Sequence, residues 1–215
     1  MVEKRDVLVI GGGVIGVCIA YYLVQKGREV TILEQGEIGS GSSFGNTGLI
    51  VPGHSIPLAH PGALGQGLKW LLRSDSPFYV KPRFDWELIN WLWKFVRASN
   101  VVSMREGIRI LSELGYASLE LLESLVAEEG LDCGYNQKGW LMAYKTTKGM
   151  EAAIEETQLL GDVGVESAVL SREEMAAMEP ALKPDLEGGV YLPNEAHLNP
   201  ARFVERWQLW LRKKV

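Results

Sequence analysis

Cysteine is scarce. Cys18 and Cys133 are the only two in 215 residues, too few for a disulfide framework, and a reducing, cytoplasmic setting fits. Histidine is nearly as rare, with His54, His60 and His197 the only three. None of them stands with Cys, Asp or Glu at metal-ligand spacing, so no metal site is expected. Basic residues are in deficit: 22 Lys and Arg face 27 Asp and Glu, for a net charge of −5. A nucleic-acid binder needs a basic footprint to neutralise phosphates, so no nucleic-acid partner is expected. Long apolar runs are also missing. The first, after Arg5, is broken by Gly11, Gly12, Gly13 and Gly16 and ends in no cleavage pattern, which argues against a signal peptide. No later run is long enough to cross a bilayer. There is no internal repeat and no low-complexity tract.

What remains is ordinary globular material, 47% hydrophobic and 23% charged. Residues 6–10 (DVLVI) form a short β-branched and aliphatic run that stops at three glycines, as a buried parallel strand does. Residues 14–26 read as a helix, with Ile15, Ile19, Tyr22 and Leu23 at helical spacing, Cys18 as a small core residue, and Gly27 as its stop. Residues 29–33 (EVTIL) make a second strand closed by Glu34. The three together are a βαβ unit.

Gly11-Gly12-Gly13-Val14-Ile15-Gly16 fits G-x-G-x-x-G within that unit. The first glycine permits the sharp turn out of the strand. The second lets the backbone approach a pyrophosphate, and the third lets helix and strand pack closely. The helix N-terminus aims free N–H groups and a partial positive charge at the anion. Glu34 lies 18 residues past Gly16, where a carboxylate accepts from a ribose 2′-OH and repels a 2′-phosphate. The unit therefore suits a dinucleotide other than NADP, and FAD and NAD both carry the required ADP half.

The next stretch bears on that choice. Residues 35–53 are rich in Gly and Ser and lack any period, where an NAD domain would offer another helix and strand. Such a loop can present hydroxyls and N–H groups to a phosphate or a flavin ring, or simply be a surface loop. Ser40 to Ser43 lack a nucleophile-elbow context. Further on, residues 65–72, 86–98 and 103–129 read as helices, the last with Ile108, Leu111, Leu114, Leu122 and Leu125 along one face. Residues 139–144 read as a strand, 149–161 as a helix and 165–170 as a short strand. Ser171 caps a helix over 172–178, and 188–192 read as a strand. Asn199 and Pro200 open a final helix running to the last residues.

At this point the sequence resembles a family. G-G-G-V-I-G, the Glu34 strand end and S-S-F-G-N-T-G-L-I look like the D-amino-acid-oxidase-type FAD-dependent oxidoreductases, and within them like bacterial D-amino-acid dehydrogenases. Looser likenesses follow at Pro52-Gly53-His54, Pro61-Gly62, Lys69-Trp70-Leu71, Glu179-Pro180-Ala181-Leu182, Gly188-Gly189, Leu192-Pro193-Asn194 and from His197 to Phe203. The resemblance implies FAD as cofactor and an amino acid as substrate. The flavin takes a hydride from the carbon bearing the amine, and the imine hydrolyses to a 2-oxo acid and ammonia. Carried over by position, Gly11, Gly13, Val14, Ile15 and Gly16 hold the pyrophosphate and Glu34 the adenosine ribose. Ser42, Ser43, Asn46, Thr47, Gly48 and Leu49 lie along the phosphate and flavin. No catalytic residue is assigned.

The expected fold is α/β: a Rossmann-like FAD-binding βαβ unit plus an α+β substrate domain, in truncated form. The expected division is an FAD-binding part over 1–85, a substrate part over 86–195, and a helix over 196–215 returning toward the first. The family chain is expected to be about twice as long at the usual domain size, with a second glycine-rich segment and the substrate-carboxylate arginine in its other half. No arginine here follows a strand of the substrate sheet, so this chain alone is expected not to turn over. That leaves a catalytically inactive fragment, or one piece of a split flavoenzyme completed by a second chain, beside the D-amino-acid oxidoreductase. A glycine- or sarcosine-type amine oxidase is a third reading.

Trp70, Trp86, Trp91 and Trp93 cluster with Lys69, Arg73, Lys81, Arg83, Lys94 and Arg97. This is either a membrane-surface patch suited to a quinone-linked acceptor, peripheral on the inner membrane, or a helix pair with solvated basic residues. His54 is either near the flavin ring or an ordinary loop histidine. Asp132, Tyr135, Trp140 and Tyr144 are either a substrate face or core.

Overall fold

The computed structural model describes residues 6–62 and 83–214. The expected helix over 65–72, the Lys69-Trp70-Leu71 likeness, and Trp70, Arg73 and Lys81 of the aromatic cluster lie outside the described residues. The fold is α/β. Its residues group into two compact units. One comprises residues 1–50, 120–138 and 196–215, the other 51–119 and 139–195.

In the first unit β1 (Val7–Ile10) pairs in parallel with β2 (Val30–Leu33), Val7 opposite Val30 and Ile10 opposite Leu33. The connection is α1 (Val14–Gln25), a right length for a crossover helix, ended by Gly27 at φ +74°. A two-residue strand, β3 (Leu49–Ile50), pairs antiparallel with β7 (Ala196–His197). The last helix, α6 (Pro200–Lys214), packs on α1: Val17 and Tyr21 meet Phe203, Trp207 and Leu211, with Leu125 and Cys133 closing the cluster. Tyr21 and Phe203 both present their rings edge-on to Trp207, at centroid distances of 5.4 and 5.8 Å.

The second unit is built on a three-stranded antiparallel sheet in the order β4 (Trp140–Tyr144), β6 (Gly188–Leu192), β5 (Ala168–Leu170). Between β4 and β5 the chain forms α4 (Thr147–Gly161), so the two outer strands are joined by a crossover past the central one. Ala153 and Leu160 of α4 bury against Val190 and Leu192, together with Met104 and Ile108 of α3 (Val101–Glu128). The helix α5 (Arg172–Met178) opens with a full capping box: Ser171 accepts from Glu174 N–H, and Glu174 accepts from Ser171 N–H. The helix α2 (Trp86–Ala98) is capped by Asp85 and buries none of its residues.

Several element bounds differ from the sequence expectation for identifiable reasons. The long helix begins at Val101 because Asn100 caps it, accepting from Ser103 N–H at 3.0 Å. The helix α4 begins two residues early because Thr146 accepts from Gly149 N–H at 3.1 Å. Residues 49–50 and 196–197 read as loop, and their strand character comes from a partner far away in sequence. Of the apolar rows, Leu111 and Leu114 are exposed, and so are Ile15 and Ile19, while Val17, Ala20 and Tyr21 carry the buried face of α1.

Trp207, only 1% exposed, is the largest fully buried side chain described, whereas Trp93 is over half exposed. Trp207→Ala is expected to lower unfolding free energy by about 3–5 kcal/mol. Trp93→Ala should stay within about 0.5 kcal/mol. Urea denaturation checks both, and equal effects would contradict this assignment of the core.

Candidate functional site

The candidate site grows from the end of β1. Gly11 leaves the strand at φ +99°, a backbone conformation that L side chains rarely adopt. Gly16, one turn into α1, faces the Gly11 carbonyl oxygen so closely that a Cβ there would overlap it. Gly13 precedes the helix in extended conformation and leaves the first-turn N–H groups of α1 without intrahelical acceptors. One of them is satisfied from the loop: Val14 N–H donates to Ser43 Oγ at 2.9 Å. The Ser43 hydroxyl proton stays available to an acceptor in front of the helix.

An open cleft of about 460 Å³ lies at this helix end. It is lined by Gly11, Gly13, Val14, Ile15 and Gly16, by Ser42, Ser43 and Asn46 of the loop, and by Val9, Ile10 and Ile19. Eight of the twelve cofactor residues expected from the sequence thus share one cleft. The other four serve elsewhere in the same unit. Gly48 is buried against the Leu198 carbonyl at φ +69°, Leu49 pairs with His197, and Thr47 is exposed between them and Asn46.

Asn46 is the brace of the loop. Its Nδ2 donates to the Ser42 and Ser43 carbonyls, both at 3.0 Å, and its Oδ1 accepts from Gly48 N–H at 2.7 Å. The last bond is an Asx turn, which Asn-Thr-Gly spells in the sequence. Gly39 contributes a second fixed point: its N–H donates to the Gly12 carbonyl at 2.8 Å, and Val204 leaves no room for a side chain on it.

Glu34 closes the other side of the glycine turn. Its Oε2 accepts from Gly12 N–H at 2.7 Å and its Oε1 from Gly36 N–H at 3.0 Å. The Gly12 bond, then the Gly36 bond, hold the carboxyl below its ordinary range, so Glu34 is a carboxylate at neutral pH. With further lone pairs on each oxygen, it can still accept from a hydroxyl.

The remaining candidates scatter. His54 is exposed and sets its ring edge-on to Trp140 at 5.5 Å. Asp132 and Tyr135 belong to the first unit, and Asp132 pairs there with Arg202 and Arg206. Trp140 and Tyr144 belong to the sheet of the second unit. Arg109 is held by Glu106 and Glu113, and Arg172 Nε donates to the Leu186 carbonyl at 2.7 Å. Among the described residues there is no group of three or more His, Cys, Asp or Glu able to hold a metal ion, and no helix is long and apolar enough to cross a membrane.

The family model described as "FAD dependent oxidoreductase" (DAO) matches residues 6–214. A D-amino acid dehydrogenase of Methylobacterium nodulans is 35% identical over 204 residues, covering 93% of this chain and 48% of that protein. A D-amino acid dehydrogenase of Helicobacter pylori is 29% identical over 209 residues, covering 97% and 50%. The chain thus spans about half the length of the curated relatives it matches. Among solved structures, glycine oxidase from Geobacillus kaustophilus superposes with a TM-score of 0.67 at 21% identity, covering 94% of this chain and 43% of that one. L-proline dehydrogenase from P. horikoshii gives 0.61 at 20%, covering 100% and 43%. At those identities the two structures speak for the fold. The chain belongs to the DAO family of FAD-dependent oxidoreductases.

The Glu34 tie has a pH signature. A depressed carboxyl pKa means that the bond to Gly12 is complete above the ordinary carboxylate range and lost as pH falls through the lower folded value. The Gly12 amide resonance should therefore titrate below that ordinary range. A midpoint at or above it would contradict the tie.

Proposed function

We propose that this chain is the FAD-gripping half of an oxidoreductase acting on the CH–NH2 group of a D-amino acid. The observation that carries the reading is the cleft at the α1 N-terminus, where helix N–H groups and loop hydroxyls converge beside an ionised Glu34. In this reading Gly11, Gly13, Val14, Ile15 and Gly16 hold the pyrophosphate by backbone N–H groups: Gly13 keeps the approach free of a side chain, and Gly16 lets α1 close on the Gly11 carbonyl. Glu34 accepts from the adenosine ribose hydroxyls. Ser42 and Ser43 donate hydroxyls to phosphate, and Asn46, Thr47, Gly48 and Leu49 carry the chain along the cofactor toward the flavin end. Bound FAD supplies the hydride acceptor for converting the amino acid to an imine, which water turns into a 2-oxo acid and ammonia. The chain's own contribution is to bind and orient.

The D-amino-acid substrate rests on the curated relatives, which are named for it and are more similar to this chain than the solved glycine oxidase. A glycine- or sarcosine-type oxidase is the competing assignment. A partner is also part of the reading. The β1–β2 sheet packs on α1, yet Leu8, Ile10 and Leu33 are exposed, Ile10 by 84%. Parallel sheets are covered on both faces. The missing cover is assigned to polypeptide of the kind that fills the other half of the relatives, on this chain or a second one. Exposed Trp86, Trp91 and Trp93, beside Lys94 and Arg97, favour a peripheral membrane contact and a quinone-linked acceptor.

The test has two arms. Flavin retained by the purified chain, read by its visible absorption, should fall at least about tenfold in Gly13→Val, whose side chain enters the pyrophosphate path. Unchanged flavin content would refute the site. Turnover of a D- and L-amino-acid panel with an artificial dye should be absent for the 215-residue chain. It should appear when the second half of a D-amino acid dehydrogenase is joined to it. Comparable rates for both would mean a complete active site within these residues.

A further inference from the structure

Among the described residues, Glu195 is the only charged-type side chain that is fully buried, at 1% exposure. It belongs to the second unit, as do Gly53 and Gly139. Both of these segments hydrogen-bond to it. Gly53 N–H donates to its Oε1 at 2.8 Å, and Gly139 N–H donates to its main-chain carbonyl at 2.9 Å. Around the carboxyl the fit is close. A Cβ on Gly53 would stand 2.5 Å from Oε1 and 2.6 Å from Leu192 Cδ2, so a side chain there would have to displace the carboxyl or Leu192. Yet the polar contacts are incomplete. Oε2 meets no hydrogen-bond partner among the described residues, and neither does the buried hydroxyl of Ser55, two residues past Gly53.

We propose that Glu195 is a protonation-controlled latch: as a neutral carboxylic acid it stays buried and keeps Gly53 docked, and on ionising it leaves the interior and releases the segment around Gly53 to Ser55. The physical reason is the cost of burying a charge that no cation compensates. Burial pushes the carboxyl up to about 7, with the Gly53 N–H pulling only partly the other way. Among the described residues, the effects acting on the carboxyl are its burial and the Gly53 N–H. From α3 comes Tyr116, whose phenol meets the Asn194 side chain. Asn194 Nδ2 in turn donates to Glu166 Oε2 at 3.3 Å, and Glu166 precedes β5. From the docked segment comes His54, exposed, with its ring turned to Trp140. A carboxyl raised on folding contributes stability that is fully present below its unfolded pKa and is lost as pH rises through the folded value. The latch therefore holds in mild acid and loosens through neutrality. The latch does not depend on FAD.

The experiment is amide hydrogen exchange on the whole chain, read as protection factors so that the intrinsic pH dependence cancels. From pH 5.5 to 8.5, a carboxyl at about 7 when docked and 4.5 when open predicts that Gly53 protection falls about 30-fold. In Glu195→Gln, which keeps an oxygen for Gly53 but cannot ionise, that fall should vanish. Parallel pH dependence in both proteins would overturn the proposal. Should the variant not fold, the carboxyl carbon shift of Glu195 in the unchanged protein decides instead. A midpoint near 7 supports the latch, and one in the ordinary carboxylate range overturns it.

Discussion

The Glu34 carboxylate holds the Gly12 amide at 2.7 Å, and most of the glycine turn and its loop hang on that bond. It ties the end of β2 to the turn that follows β1, beside the Gly11 N–H to Leu33 carbonyl bond that continues the parallel ladder. With the turn fixed, Gly16 can press against the Gly11 carbonyl and α1 can start where its free N–H groups point into the cleft. Gly12 then accepts from Gly39 through its carbonyl, which anchors the start of the loop that delivers Ser42 and Ser43. One charged side chain therefore organises three segments, and backbone donors favour its charged form in doing so. A residue read first as a ribose acceptor is also the staple of its own site.

Glu34, the glycines and the βαβ unit were legible because each is written locally: a β-branched run, a glycine turn, a helix with a glycine stop. The cap residues Ser171 and Asn199 were legible for the same reason. What stayed hidden depends on distant partners. The Leu49–Ile50 strand is two residues long and exists because Ala196 and His197 lie beside it. The buried face of α1 was misjudged because its apolar residues surround the helix, and α6 decides which of them count as core. Ser43 was placed in the site for its hydroxyl, yet its cap on Val14 N–H joins residues 29 apart and left no trace in the sequence. Asn46 was expected along the cofactor, and its side chain is spent on bracing the loop.

The two units divide the chain in a way that local patterns do not announce. The long helix α3 contributes its residues through Leu119 to one unit and those from Glu120 to the other. The sequence pointed to boundaries at 85 and 195, while the compact groupings change over after Ile50, Leu119, Lys138 and Glu195. Each unit keeps its own buried cluster, centred on Trp207 in one and on Ile108, Val190 and Leu192 in the other. The family model matches residues 6–214, and the chain spans about half the length of the curated relatives.

On the proposed function, the turn between β1 and α1, stapled by Glu34, is a preformed cradle for the ADP half of FAD. The most direct measurement is a titration of the chain with ADP followed by amide resonances. Saturable shifts are expected at Gly11, Gly13, Ile15, Gly16 and Ser43, with the sheet residues around Val190 unmoved. Shifts centred elsewhere, or none at these amides at saturating ADP, would contradict it.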